Sequence, residues 1–322
     1  MMPTQTQLRL RTLLFWAVPL LLLALPLVTN AYVQFIANSI VIFALVALGF
    51  NFVIGNLGQL AFANTALFGL GAYGSAILVN SFGLPWIVSI PLAGVAGAAG
   101  GFLASAAALR GIRLYYLAII TLAFGELMRW LYVHGKSVTG GTDGMGLPAQ
   151  SLFGYSLTDD RAKFYIFLVI AVLLFKATLN ILRSRVGRSV MAVRENEVAT
   201  ASLGIPTARI IVFAFMWSGF VVGCAGALFA LHTSYVFPES FGMLHLIVSF
   251  AMVLVGGLGS VIGAVLGAAA LTILPEYLRS FPGMEELFFG LIVIAVLLAL
   301  PDGLASLLRK LSPIFVERYY RE

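Results

Sequence analysis

Charge and cysteine are what this 322-residue chain has least of. Only 10% of its residues are charged and 61% are hydrophobic, whereas an ordinary soluble domain carries about 25% charge. Mean hydropathy is +1.03, so water could not hold this surface and lipid could. The one cysteine, Cys224, excludes a disulfide framework. The three histidines, His134, His232 and His245, form no cluster, and no Cys/His set offers a metal site. A phosphate-binding P-loop is missing too. The only Gly-Lys-Ser is Gly135-Lys136-Ser137, and Trp130 stands where the first glycine of that motif belongs. No spaced nucleophile and base stand out, so no residue is assigned a catalytic or metal-binding role and no cofactor is expected on this chain. The net charge of +6 sits in short loops, as expected of a membrane protein rather than a nucleic-acid binder.

What is present is a succession of apolar runs, each of the length that crosses a hydrocarbon core of about 30 Å. They are too long and continuous for barrel strands of alternating polarity. The fold class is therefore all-α, a polytopic helical membrane bundle of about ten helices or half-helices. Residues 1–322 read as one transmembrane domain. Leu13–Val28 is a retained first helix, because Pro19 and Pro26 interrupt it and the cleavage-like Thr29-Asn30-Ala31 is weak. Further spans follow at Val33–Ile54, Leu60–Val79, Trp86–Leu109 and Leu114–Val133, completing five helices over 13–133. A polar stretch over 134–163 reads as an external loop, 164–182 as the sixth helix and 183–209 as a cytoplasmic segment. The remaining helices occupy 210–301, and a tail runs over 302–322. The run Leu244–Leu274 is too long for one span and is expected to break at Gly256-Gly257-Leu258-Gly259. With that break the basic residues of both termini and of 183–209 fall on the cytoplasmic side, the orientation that positive charge favours. Both termini are thus expected inside a bacterial inner membrane.

Glycines recur every fourth residue at Gly97/Gly101, Gly219/Gly223 and Gly259/Gly263/Gly267, the spacing that lets helices approach closely. The third span mixes Asn56, Gln59, Asn64 and Thr65 with Gly69 and Gly71, polarity that points to a cavity, a broken helix or interhelical hydrogen bonds. Candidates for a translocation path or its packing are Asn51, Gln59, Asn64, Thr65, Gly69, Gly71, Glu126, Gly257, Gly259 and Gly263. Glu126 is the one acidic residue within the predicted spans, and Arg129 lies three residues on, placed to pair with it. An ion-coupled secondary carrier usually needs ionisable groups near the midplane, and their scarcity argues for energy supplied from elsewhere. The segment 183–209 is long for a mere connection. Its mixture of Arg188, Arg194, Glu195 and Glu197 with small apolar residues predicts a short helix ending at Gly204, stopped by Pro206, and suited to dock a cytoplasmic partner.

Several blocks, in order along the chain, carry a family likeness. They are Gly58–Tyr73, ending Phe-Gly-Leu-Gly-Ala-Tyr; Arg110–Glu126, continuing to Thr139-Gly-Gly-Thr-Asp-Gly-Met-Gly146; and Gly187–Gly204, followed by Phe213-Ala-Phe-Met-Trp-Ser218 and Ala225-Gly-Ala-Leu228. Gly256–Ala268, Leu274-Pro-Glu276 and Pro301-Asp-Gly-Leu304 complete the set. Together they resemble the permease of branched-chain amino-acid ABC importers, the LivM type. The resemblance implies a heterodimer with a second related permease, two cytoplasmic ATPase subunits carrying ATP and Mg, and a periplasmic solute-binding protein, all without nucleic acid. It places Arg188, Arg194, Glu195, Asn196, Glu197, Ala199, Ala201 and Gly204 in an ATPase-coupling segment. Binding-protein docking would then fall on outer-loop residues including Thr139, Gly140, Gly141, Asp143 and Gly144. Two departures are visible. The coupling motif is offset by one residue, and Ala61-Phe-Ala-Asn-Thr replaces a stretch expected to hold Ser, Gly and His. The solute expected is a branched-chain or other hydrophobic amino acid, with urea, short amides or aromatic compounds as the alternative.

Overall fold

The computed structural model describes residues 29–112, 114–148, 151–152, 155–156, 160–279 and 284–311, with Pro26 besides. Among them the helices are α1 Ala31–Asn51, α2 Asn64–Phe82, α3 Trp86–Ser105, α4 Leu114–His134, α5 Lys136–Thr139, α6 Asp160–Arg183 and α7 Arg185–Glu195. They continue with α8 Glu197–Ser202, α9 Thr207–Thr233, α10 Met243–Gly256, α11 Val261–Leu278, α12 Glu285–Ala299 and α13 Leu304–Leu311. Four two-residue strands complete the fold. β1 (Met145–Gly146) pairs antiparallel with β4 (Tyr235–Val236), and β2 (Ser151–Leu152) with β3 (Tyr155–Ser156). Seven helical stretches are long and apolar enough to cross a membrane, while α10 and α12 are apolar but shorter. The fold is a helical membrane bundle. The predicted first helix, Leu13–Val28, lies outside the described residues except for Pro26.

Helix α9 is the central post, packed against α1, α2 and α3. Its glycines explain the closeness. A Cβ on Gly97 of α3 would lie 2.1 Å from the Gly219 carbonyl oxygen, and one on Gly101 would lie 2.3 Å from that of Phe215. Helix α2 comes as close: a Cβ on its Gly71 would meet the Gly223 carbonyl oxygen at 2.1 Å. These are backbone-to-backbone contacts, where van der Waals packing supplies the association that the hydrophobic effect cannot supply in lipid. The Gly97→Val variant must therefore separate α3 from α9. It is expected to cost about 3 kcal/mol, read as a lower melting temperature of the purified protein in detergent.

The helices overrun the apolar runs. The sixth begins at Asp160, not Phe164, and α11 continues through Glu276. Backbone hydrogen bonding carries a helix past the end of its hydropathic stretch, and paired charges make the overrun affordable. Buried Lys163 holds Asp160 at 3.6 Å and donates to the His232 carbonyl at 3.4 Å. Asn38 of α1 donates to the Asp160 carbonyl at 3.0 Å, and Ser39 meets His232 Nε2 at 3.1 Å. The Tyr32 hydroxyl bonds Glu276, which Arg279 also holds at 3.0 Å. These bonds tie together the starts of α1 and α6 and the ends of α9 and α11, all at one end of the bundle.

Candidate functional site

Backbone that is not helical is costly at membrane depth unless it is buried in protein or lines a cavity. Three such places occur among the described residues. After α1 the helix widens into a π-type turn, Phe52–Leu57, which ends at Gly58 with φ +76°. Residues 59–63 then run non-helically inside the bundle before α2 starts at Asn64. Gln59, Ala61 and Ala63 are buried, and the Phe62 amide donates to Thr121 Oγ1 of α4 at 3.0 Å. The third span is thus one continuous helix that starts four residues later than its apolar run, after this irregular stretch.

The second place precedes α10. The Pro238–Phe241 turn carries Phe241 into an aromatic cluster with Phe68, Tyr73, Tyr132 and Phe229. Gly69 is close enough to this cluster that a Cβ would meet the Tyr132 ring at 2.6 Å. Helix α10 starts just after this buried anchor, with Met243 and Leu244 themselves exposed, and has only 14 residues, about 21 Å at 1.5 Å per residue, a half-helix rather than a full crossing.

The third place is the break between α10 and α11. Gly257 and Gly259 adopt φ +115° and +77°, a region closed to most side chains. Asn51 of α1 clasps the break by accepting from the Gly259 amide at 2.6 Å and donating to the Ser260 carbonyl at 2.8 Å. Asn56 donates to the Gly259 carbonyl at 3.2 Å. Ser260 caps α11 by accepting from the Gly263 amide at 3.0 Å. Gly303, before α13, packs directly against Gly257. Gly263 and Gly267 press α11 onto the Gly256 and Met252 carbonyls of α10.

The first two discontinuities meet. A narrow cleft of about 10 Å³ is lined by Phe62, Thr65 and Ala66 at the start of α2, by Phe241, Gly242, Met243 and Leu246 at the start of α10, and by Leu122, Gly125 and Glu126 of α4. Thr65 is 7% exposed and its Oγ1 has no hydrogen-bond partner. Glu126 pairs with Arg129 at 3.5 Å, but the two side chains are 53% and 47% exposed. A charge facing lipid at depth costs roughly 2.5–3.5 kcal/mol on insertion scales, so an exposed pair here belongs to a wet or protein-covered face. Among the other path candidates, Asn64 accepts from the Ser218 hydroxyl at 3.3 Å. Gly69, Gly71 and Gly263 serve packing, and Asn51, Gly257 and Gly259 form the clasp.

The segment after α6 is two helices, not the single short one predicted. Asn196 ends α7 and caps α8 by accepting from the Ala199 amide at 2.9 Å. Its extended backbone breaks the helix there, a signal that the mixed-charge pattern concealed. Gly204 closes α8 with φ +81°. Arg188, Glu195, Asn196, Ala199, Ala201 and Gly204 are exposed, Glu197 half-buried. Val198 and Leu203, apolar residues of the same segment, are 71% and 80% exposed. Arg194 instead turns inward. It donates to the Gly55 carbonyl, and its stem covers Gly58. Gly55 in turn packs on the Gly259 backbone.

At the opposite end, Thr139 is buried and donates to the Tyr132 carbonyl at 2.7 Å, so it holds the loop rather than offering itself to a partner. Gly140, Gly141 and Gly144 supply three positive-φ turns. Asp143 is exposed, and its carbonyl accepts from the Tyr235 hydroxyl at 2.7 Å. No His/Cys/Asp/Glu group able to hold a metal occurs among the described residues.

Seven helices long and apolar enough to cross a membrane, with shorter and interrupted ones among them, mark a multi-pass membrane protein. A family model described as the permease component of branched-chain amino acid transport systems matches residues 32–299, and the chain belongs to that family. It is 34% identical to the high-affinity branched-chain amino acid transport permease LivM of Salmonella typhimurium, over 85% of this chain and 70% of that one. It is 33% identical to Escherichia coli LivM over 91% and 74%. To the E. coli permease LivH it is 26% identical over 81% and 90%. No solved structure matches significantly.

Proposed function

We propose that this chain is the LivM-like half of an ATP-driven importer that moves branched-chain amino acids inward across a bacterial inner membrane. It pairs with a LivH-like permease, two cytoplasmic ATPases and a periplasmic binding protein, and both its termini are cytoplasmic. The observation that carries the reading is the position of Arg194. It lies between an exposed surface knuckle, α7–α8, and the Gly55 carbonyl on the turn that packs against the clasped break. A push on α7–α8 from a soluble motor is thereby delivered to the discontinuous helices. Val198 and Leu203 are the apolar residues of that knuckle exposed for a motor groove, and the loop around Asp143 faces the binding protein. ATP and Mg are held by the motor subunits.

The test is uptake of radiolabelled leucine, isoleucine and valine by proteoliposomes holding the full complex with its binding protein. Uptake should require ATP, stop with vanadate and ignore a protonophore. Uptake that survived without the ATPases and collapsed with the proton gradient would identify an ion-coupled carrier instead. Leu203→Glu should place a charge in the motor contact and weaken it by about 2 kcal/mol or more, seen as loss of ATPase subunits from the affinity-purified complex.

A further inference from the structure

We propose that the cleft between the starts of α2 and α10 is the permease's own solute contact, taking the α-carboxylate of a zwitterionic amino acid on the two helix N-termini and its α-ammonium on Glu126. The proposal rests on the amino-acid reading above. A helix start carries amide groups without intrahelical partners and a partial positive charge, which together favour an anion. Neither start is capped by a side chain, since Ala63 precedes α2 and Gly242 precedes α10. Thr65, buried with an unpartnered hydroxyl, lines the same cleft and adds a donor. Glu126 stands on the facing helix as the only charged residue in the lining. Arg129, 3.5 Å from it, compensates that carboxylate while no ammonium is present. Phe62, Leu122, Met243 and Leu246 supply an apolar wall for an aliphatic side chain.

The chemistry therefore matches an amino acid at both ends and along its middle. An anion alone would leave Glu126 unused, since Arg129 already pairs with it, and a cation alone would be opposed by the helix starts. At about 10 Å³ the cleft is closed in this conformation. Much of α4 lies at the surface, with Leu117, Thr121 and Tyr132 as its buried anchors, and solute entry accompanies a local opening of the cleft between α4 and α10.

The test uses the reconstituted full complex with leucine as probe, measuring uptake and binding-protein-stimulated ATP hydrolysis per intact complex. Glu126→Gln should lower leucine moved per ATP about tenfold or more, and Thr65→Val by several-fold, as expected when a contact to a charged ligand group is lost. Glu126→Asp should recover much of the loss. Where Glu126→Gln does not assemble, Thr65→Val, nearly the same shape, carries the decision. Leucine moved per ATP within twofold of the parent in the variants that assemble would overturn the proposal. So would loss of the second permease from the purified complex with parental uptake by what remains intact, since Glu126 would then be a subunit contact. Absence of ATP-driven amino-acid uptake by the parent complex would instead defeat the functional reading itself.

Discussion

Substituting alanine for Gly55 should leave almost no correctly folded permease. A Cβ there would stand 2.1 Å from Asn51 Oδ1 and 2.2 Å from the Gly259 amide nitrogen. Both partners already bond each other at 2.6 Å, so neither can retreat without opening the clasp. Overpacking ordinarily costs about 1–3 kcal/mol. Here the obstacle is backbone, and breaking a buried amide pair adds about 1–3 kcal/mol more. The sum is comparable to the whole stability of many proteins. The measurement is the monodisperse fraction in detergent gel filtration, with Gly111→Ala as the comparison. Gly111, unlike Gly55, has positive φ, but a Cβ there meets nothing within 4 Å, so that variant should be only mildly affected. Equal recovery of the two would show that the contact between Gly55 and Gly259 is not tight.

Removing the guanidinium of Arg194 should separate ATP hydrolysis from transport while leaving the protein folded. Arg194→Ala keeps α7 and α8, whose caps at Ser184 and Asn196 are independent of it. It deletes the bond to Gly55 and leaves a gap beside Gly58. Uptake per ATP should fall at least tenfold, equivalent to about 1.4 kcal/mol or more of lost coupling. Arg194→Lys should restore little, because the ammonium is a compact point charge without the planar fork of donors. The decisive comparison is binding of the ATPases to the variant. Retained binding with lost uptake supports a transmitting role, whereas lost binding would place Arg194 in the motor contact, as its sequence neighbours first implied.

These two residues show what the sequence could and could not disclose. Spanning helices were legible because apolar runs of that length have few other uses in a chain so poor in charge. The break after Gly256 was legible because glycines at that density permit positive φ. Polar residues at the head of the third span marked the irregular backbone that precedes it, residues 52–63, while the span itself is one continuous helix. Hidden were the consequences of long-range contact. Nothing near Arg194 says that it points at Gly55, 139 residues earlier. Nothing near Asn51 names Gly259 as its partner, 208 residues away. The entry of Phe241 into the interior was also hidden, since an aromatic beside Pro238 reads locally as a loop. At the α8 knuckle the mixed-charge pattern carried no measure of exposure, and it is the exposure of Val198 and, just past the helix, Leu203 that marks a missing neighbour.

The backbone contact of Gly97 with Gly219, and of Gly71 with Gly223, has a mechanical corollary. Three helices touching main chain to main chain have no side-chain layer in which to slide, so α2, α3 and α9 travel as one slab. Whatever strokes occur during a transport cycle are left to the flank, where α4 meets the slab through side chains such as Thr121 and Tyr132 and the half-helix α10 is backed on α11 instead.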